Sequence, residues 1–420
     1  MPRLNPSARL ALLSIGILAA TAARGDDLDA LSLQSAPVSG PASALSAAVE
    51  LALGRIDQRG EPKAQDGRRA SLDLRYTPRL SDAWRAGLSA RVDDTHPAPG
   101  GQHTTVASLR EAYLGWTTGG SLSSFDIGRI NLRQGPAYGY NPTDYFRTNA
   151  LRTIPTADPL ILRQMRLGTG MLRAGRLWDG GGATLALAPK LASAPDSSPS
   201  AADFGATNST DRALLGIDLR ASDRLSGQGS LLLSRGHTPI LGLSGTALAG
   251  DAVVVYGEWS YGRVPTLAEQ ILNQAQGTTK VSQASLGLTW TLPGGLALTT
   301  EAEYNGAGLD RAQMQSVLAQ GPAAYQQYFA LTQPSQELGS RRAWLLYATQ
   351  KGFGIQQLDL TAFLRSNADD HSALAWAELR YHWPRFDAAL QWQQSFGAAG
   401  TEYHALPYRR VVQVVASAYF

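Results

Sequence analysis

The groups with chemistry to offer are concentrated in the stretch Asp126-Ile127-Gly128-Arg129-Ile130-Asn131-Leu132-Arg133-Gln134-Gly135, followed by Gly139-Tyr140-Asn141-Pro142-Thr143-Asp144-Tyr145-Phe146. Guanidinium and carboxylate groups alternate there with glycines and aromatic rings, a mixture suited to holding charge and not to breaking bonds. Elsewhere, no Ser, His and acid set recurs at a spacing that would build a nucleophile and its base. His96, His103, His237, His371 and His404 fall in or beside loops, and only His382 lies on an expected strand. Cysteine is absent, and no His-rich or carboxylate run has metal-ligand spacing. The expectation is a protein that is not an enzyme and needs no cofactor or metal.

The second half of the stretch reads as a built loop. Asn141-Pro142 and Thr143-Asp144 favour a compact turn through proline's fixed φ and side-chain capping, and Tyr138, Tyr140, Tyr145 and Phe146 give it something to bury. An exposed loop has no need of four rings. Segment 132–162 is therefore expected to fold inward, placing Arg133, Asp144, Arg147 and Arg152 in the interior; the alternative is an outer cap touching lipopolysaccharide or neighbouring loops.

The elements that must carry these groups are strands. Almost every segment alternates with period two and is closed by Gly, Pro, Asn, Asp or Ser. Strands are expected at 45–57, 67–79, 82–93, 104–117, 121–131, 163–176, 181–190, 211–221, 226–235, 239–248, 251–262, 280–292, 294–306, 339–351, 353–366, 371–383, 385–396 and 408–420. The count is about 18, with 16 as the alternative, since without 239–248 the number is odd and the rhythm of connections slips by one; single-chain bacterial barrels keep even numbers. Connections near Leu80-Ser81, Thr118-Gly119, Trp178-Asp179, Ser222-Asp223, Gly250, Pro293, Gly352 and Pro384 are brief, while 132–162, 191–210, 263–279 and 307–338 are long. That short-long rhythm is the mark of an all-β, transmembrane, antiparallel up-and-down barrel.

Faces follow from parity. Ala70, Leu72, Leu74 and Tyr76 oppose Arg69, Ser71, Asp73 and Arg75; Ala86, Leu88, Ala90 and Val92 oppose Arg85, Ser89, Arg91 and Asp93; Ala375, Ala377 and Leu379 oppose Trp376, Glu378 and Arg380. Trp116, Trp259, Tyr261, Trp290, Tyr304, Trp383 and Trp392 lie near strand ends, as interfacial rings do. In 121–131, Phe125, Ile127 and Arg129 share one parity, a conflict that a bulge at Gly128 would resolve.

The Arg129 block and its Asn-Pro turn resemble a pattern in large families of poorly characterised bacterial outer-membrane barrels, some related to alginate-export porins. The last strand, ending on Phe420, resembles the carboxyl-terminal signal by which such barrels are recognised by the insertion machinery. These resemblances imply a Gram-negative outer-membrane location. The start agrees: Arg3 and Arg9 precede the apolar run Leu10–Ala20, and Ala20-Thr21-Ala22 suits cleavage, giving an export signal at 1–22, a leader at 23–44 and a barrel at 45–420. The apolar run is too short for a spanning helix. Charged residues make up only 17% of the chain and Gly 43 of 420 positions, both fitting a wall with one face in lipid, and a formal charge of +3 carries no nucleic-acid footprint.

A barrel this wide is not filled by its own wall side chains. The expected function is a porin-like channel for small hydrophilic solutes. Its filter would comprise Arg75, Arg85, Arg91, Glu111, Asp126, Arg129, Arg133, Asp144, Arg147 and Arg166 from the amino-terminal half, facing Glu301, Glu303, Asp359, Glu378 and Arg380 from the carboxyl-terminal half. The charges read equally as ion-pair networks that stiffen the wall. Export of a polysaccharide or lipid with periplasmic partners, and a purely structural barrel, stay open as alternatives. A receptor with a globular plug does not, because strands begin near residue 45. Helices are expected at Thr266–Ala275 and Leu309–Leu331, and 191–210 is expected to be mobile.

Overall fold

The computed structural model describes residues 44–61, 63–96, 103–118, 122–272 and 277–420. The export signal and nearly all of the leader lie outside that set. From Leu45 onward, eighteen antiparallel strands form one sheet whose first and last members pair, which closes it. They are β1 (Leu45–Gln58), β2 (Gln65–Tyr76), β3 (Trp84–His96), β4 (Thr104–Thr117), β5 (Ser123–Ile130), β6 (Thr169–Trp178), β7 (Gly181–Ala188), β8 (Arg212–Ser222) and β9 (Leu225–Ser234). The second half comprises β10 (Ile240–Leu248), β11 (Val253–Val264), β12 (Thr279–Thr291), β13 (Leu296–Asn305), β14 (Arg342–Gln350), β15 (Leu358–Asn367), β16 (Ala373–His382), β17 (Phe386–Phe396) and β18 (Tyr408–Tyr419). The uncertain strand at 239–248 is β10, hydrogen-bonded to β9 and β11 on its two sides.

The wall is apolar outside and polar inside. Leu51, Leu53, Leu286 and Val414 are more than half exposed on the outer face, while Ser71, Ser89, Asp93, Glu301 and Ser417 are buried on the inner one. Such an exterior is stable only against an apolar medium, which is what period two in the sequence demands of a lipid-facing wall. Trp290 and Trp383 stand exposed at strand ends, joined by Trp84, Trp178 and Trp344, whereas Trp259 and Trp392, also exposed, lie nearer the middle of β11 and β17 than expected.

Two breaks of parity matter for the interior. In β4, Ser89 pairs with Glu111 and Ala90 with Leu109, so Arg110 is an extra residue; the bulge lets Arg110 and Glu111 both turn inward. In β5, Asp126 and Arg129 are both buried although Ile127 between them is exposed. No register shift occurs there. The phase changes instead at Gly128, φ 135°, where a Cβ would lie 2.2 Å from the Ala112 carbonyl oxygen.

Some expectations are corrected. Residues 163–165, read as the start of the strand 163–176, belong to the helix α1 (Pro159–Met165), because Asp158 caps it and Pro159 opens it. The turn before β15 runs over 351–357, longer than expected. Segment 191–210 is docked: it holds the short helix α2 (Phe204–Thr207), and Asn208 exchanges hydrogen bonds with both backbone groups of Gly170, each 2.8 Å. The expected helices are α3 (Leu267–Ile271), α4 (Arg311–Ala319) and α5 (Pro322–Thr332), with capping boxes at Thr266 and Asp310 and a break at Gly321-Pro322.

Substituting Gly128→Ala should lower stability by about 2 kcal/mol, since it forces a left-handed alanine against a backbone carbonyl; urea unfolding in detergent, read by heat-dependent gel mobility, measures it. An unchanged midpoint would mean β5 reverses its phase some other way.

Candidate functional site: a loop pinned inside the barrel

The connection between β5 and β6, residues 131–168, folds into the lumen and is fastened to the wall by carboxylates. Glu301 of β13 is fully buried and accepts the backbone N–H groups of Tyr138 (2.8 Å), Gly139 (3.0 Å) and Tyr140 (3.1 Å), and the Tyr256 hydroxyl (2.8 Å). Glu258 of β11 accepts Ala137 N–H (2.7 Å), the Asn141 amide (3.1 Å) and both the N–H and the hydroxyl of Thr143 (3.3 and 2.7 Å). Each carboxylate thus organises one edge of the Asn-Pro turn, and the turn's donors find partners although they are buried.

Close approach of backbone to carboxylate explains two glycines. A Cβ on Gly135 would sit 2.2 Å from Glu258 Oε1, and one on Gly139 would sit 2.1 Å from Glu303 Oε1. Glu303 is paired with Arg365 at 2.6 Å, and Arg365 also donates to the Gly139 carbonyl. The rings pack alongside: Tyr138 stacks on Tyr256 (5.9 Å) and meets Tyr347 edge-on (5.6 Å), while Leu160 and Ala157 cover Tyr347, Phe363 and Trp376.

The rest of the loop is tied by ion pairs. Asp144 lies 2.5 Å from Arg166 and 3.3 Å from Arg163; Arg147 is paired with Glu337 at 2.7 Å and stacks over Tyr140. Burial among other cations brings the Arg166 guanidinium down to about 10. Further along, Thr153 donates to Asp93 of β3 (2.8 Å), and Asp158 accepts the Leu160 N–H (2.9 Å) and the Tyr347 hydroxyl (3.0 Å).

The expected filter residues therefore separate into two groups. Glu301, Glu303, Asp144, Arg147 and Arg166 are buried at the seam between loop and wall. Arg129 is also sealed, 2% exposed, donating to the carbonyls of Gly168 (2.9 Å) and Ala202 and lying over Phe204, so it holds 189–211 in place. Glu111 accepts the Asn131 N–H and starts the loop. Acidic and basic half-walls consequently do not face each other across open water. That expectation is corrected: loop backbone and loop arginines cover the acids.

The second group lies on the strands. Arg91 contacts Asp93 (2.9 Å), Glu50 (3.3 Å) and Asp73 (3.5 Å); Arg69 contacts Glu50 (2.7 Å); Arg110 contacts Asp73 (2.5 Å). Arg85 pairs with Asp126 at 2.7 Å, Arg380 with Glu378 at 2.8 Å, and Asp359 with His382 at 3.2 Å. Arg75 is exposed and Arg133 half-buried. Glu50, Arg110 and Glu258 were missing from the expected filter; Arg110 was hidden by the bulge, and Glu258 had a visible signal in its inward parity.

No protein-family model matches this chain, and no curated protein does. Solved structures do. OccAB1 of Acinetobacter baumannii aligns over 92% of this chain and 99% of its own at a TM-score of 0.54 and 9% identity. OpdK of Pseudomonas aeruginosa, solved with vanillate, aligns over 90% and 98% at 0.52 and 9% identity. OccK10 (OpdN) of the same organism aligns over 90% and 99% at 0.51 and 13% identity. These are outer-membrane porins, transport channels and not enzymes, and the chain has their fold.

Asp158, in the loop, is pushed up to about 6 by burial. A carboxyl raised above its ordinary value of about 3.9 stabilises the docked loop most below that value, and the contribution is lost as pH rises through about 6, an effect of about 3 kcal/mol. Proteolytic protection of 150–165 should therefore fall between pH 4 and 7, and Asp158→Asn should flatten that fall; identical profiles would remove Asp158 as the cause. Glu301→Ala, which strands three N–H donors, should cost about 3 kcal/mol or more and open 136–145 to protease.

Proposed function

We propose that the protein is an outer-membrane channel through which small hydrophilic solutes diffuse, narrowed by loop 131–168. One observation carries this reading: a closed barrel of eighteen strands, apolar outside and polar inside, whose lumen is constricted by its own fastened loop. Barrels of this strand number are too wide for wall side chains to fill. The likeness to Occ and Opd porins and the outer-membrane location that goes with it support the reading.

In this reading the passage follows the inner face of β17, β18, β1 and β2, away from β11 and β13 that hold the loop. Ala389, Val415 and Ala52 are themselves buried there, so it is the charged side chains around them that meet water. Arg69 and Arg91 with Glu50 and Asp73 border it on one side, and Glu378 with Arg380 on the other. Glu50 and Asp73 keep the most access to water, their side chains 23% and 26% exposed, and Arg69 and Arg91, 11% and 10% exposed, set the charge around them. Charge filtering at close contact follows from that placement.

Purified protein in a planar bilayer should conduct without any partner. The pair Arg69→Ala plus Arg91→Ala should shift cation over anion permeability by about threefold, near 0.7 kcal/mol, while Arg129→Ala, sealed behind 189–211, should leave selectivity where it was. A barrel that stays closed in the bilayer would favour an exporter needing partners, and a selectivity change in Arg129→Ala would misplace the passage.

A further inference from the structure

We propose that the lipid-facing surface of β18, β1 and β2 is a binding site for a phosphorylated glycolipid of the outer leaflet, a lipid A-type molecule with two phosphates. This rests on the membrane location alone and not on conduction. The three strands make the same change of residue type at the ends joined to connections 59–64 and 397–407, which by strand alternation lie on the same side as the long connections 131–168 and 306–341. Along β1 the outward positions run Val49, Leu51, Leu53 and then Arg55; along β2, Leu72, Ala70 and then Arg68; along β18, Val414, Val412 and then Arg410. Register brings the switches together, because Leu53 pairs with Arg68, Arg55 with Val412 and Asp57 with Arg410.

The surface has the shape of an acyl-chain groove under a charged lip. A groove of about 470 Å³ is lined by Leu53, Val412 and Val414 below and by Arg55, Asp57 and Arg410 above. The side chains of Arg55 and Arg410 are 73% and 53% exposed. Each is steadied by a carboxylate, Arg55 by Asp66 at 3.7 Å and Arg410 by Asp57 at 3.3 Å, and Arg409 shares Asp57 at 2.7 Å. Four guanidiniums, those of Arg55, Arg68, Arg409 and Arg410, thus stand against Asp57, Asp66 and, opposite Ala70 on β3, Asp94, which is taken up by His103 and Thr105, so the cluster keeps a positive excess.

Depth makes the site readable. Arginine on a lipid face costs about 2–4 kcal/mol at mid-bilayer and about 0–1 kcal/mol near the interface, so three outward arginines in one band place that band among headgroups. Trp392 pairs with Val412, itself the partner of Arg55, which puts an exposed aromatic ring beside them. Guanidinium forks match phosphate oxygens in pairs. Cations spread over three strands, about 10 Å, suit a headgroup with two phosphates better than one with a single phosphate, and acyl chains would lie on the apolar floor.

Native mass spectrometry of the full, detergent-solubilised protein tests this, with bis-phosphorylated lipid A, its dephosphorylated form and phosphatidylglycerol titrated separately. Wild type should retain bis-phosphorylated lipid A, and Arg55→Ala/Arg68→Ala/Arg410→Ala should retain it about tenfold more weakly, with unaltered bilayer conductance. Heat-dependent gel mobility verifies the fold; should the triple variant fail it, Arg55→Gln/Arg410→Gln takes its place. Equal retention by the variant, by the dephosphorylated lipid or by phosphatidylglycerol would overturn the proposal. Loss of conductance with lipid binding intact would instead strike the channel reading.

Discussion

Two wall carboxylates, Glu258 and Glu301, decide what the interior of this barrel is. A loop entering a lumen must find partners for its backbone donors, and a wall of serines or arginines would not supply acceptors at the right density. Between them the two glutamates take the N–H groups of Ala137, Tyr138, Gly139, Tyr140 and Thr143. The turn is held by its backbone and not by its side-chain tips, so its position tracks that of β11 and β13. The glycines at 135 and 139, the aromatic packing against Tyr256 and Tyr347, and the arginines that neutralise Asp144 and Glu337 all depend on that attachment.

The charges inside the barrel consequently divide between two tasks. Those at the seam, including Glu303 with Arg365 and Asp144 with Arg166, are withdrawn from water and paired, as buried ions must be. Those on β1 to β4 form a lattice in which Arg69, Arg91 and Arg110 share Glu50, Asp73 and Asp93. Three cations on three anions give little net charge but fixed local dipoles, and partial exposure lets a solute meet them. A uniform transverse field across the lumen would need the acids of β11 and β13 in open water, where they are not.

Period two made the wall legible from the sequence, including β10, because alternation is local and lipid on one face enforces it. It failed where the chain reverses phase. Arg110 is invisible to parity because a bulge is a property of two paired strands. Gly128 did announce itself, since an arginine sharing the face of Phe125 and Ile127 is untenable without a change of phase, and the change came through a positive φ without the expected bulge. The inward fold of 132–162 could be read from its four rings, but not which wall would receive it. Asn208 and the docked state of 191–210 were hidden for the same reason: a polar, proline-containing segment reads as mobile until a partner such as the Gly170 backbone is in place.

The loop is not fastened evenly. Its first arm, 137–143, is held by two carboxylates taking several donors each. Its second arm, 150–165, is held by scattered bonds to many elements: Arg152 donates to the carbonyls of Ala107 on β4 (2.7 Å), Ser198 and Ala201, the Leu151 N–H to Pro334, Thr153 to Asp93 of β3, and the Tyr347 hydroxyl of β14 to Asp158. Packing of Leu160 and Ala157 on Trp376 and Tyr347 adds apolar contact, which resists separation but tolerates sliding. That arm ties β3 to β14 and β16, and burial holds its Asp158 carboxyl up at about 6. The two arms are thus held differently: the first by two carboxylates that each take several backbone donors, the second by single bonds spread over several strands and segments, so losing one wall residue should free the first arm and only loosen the second.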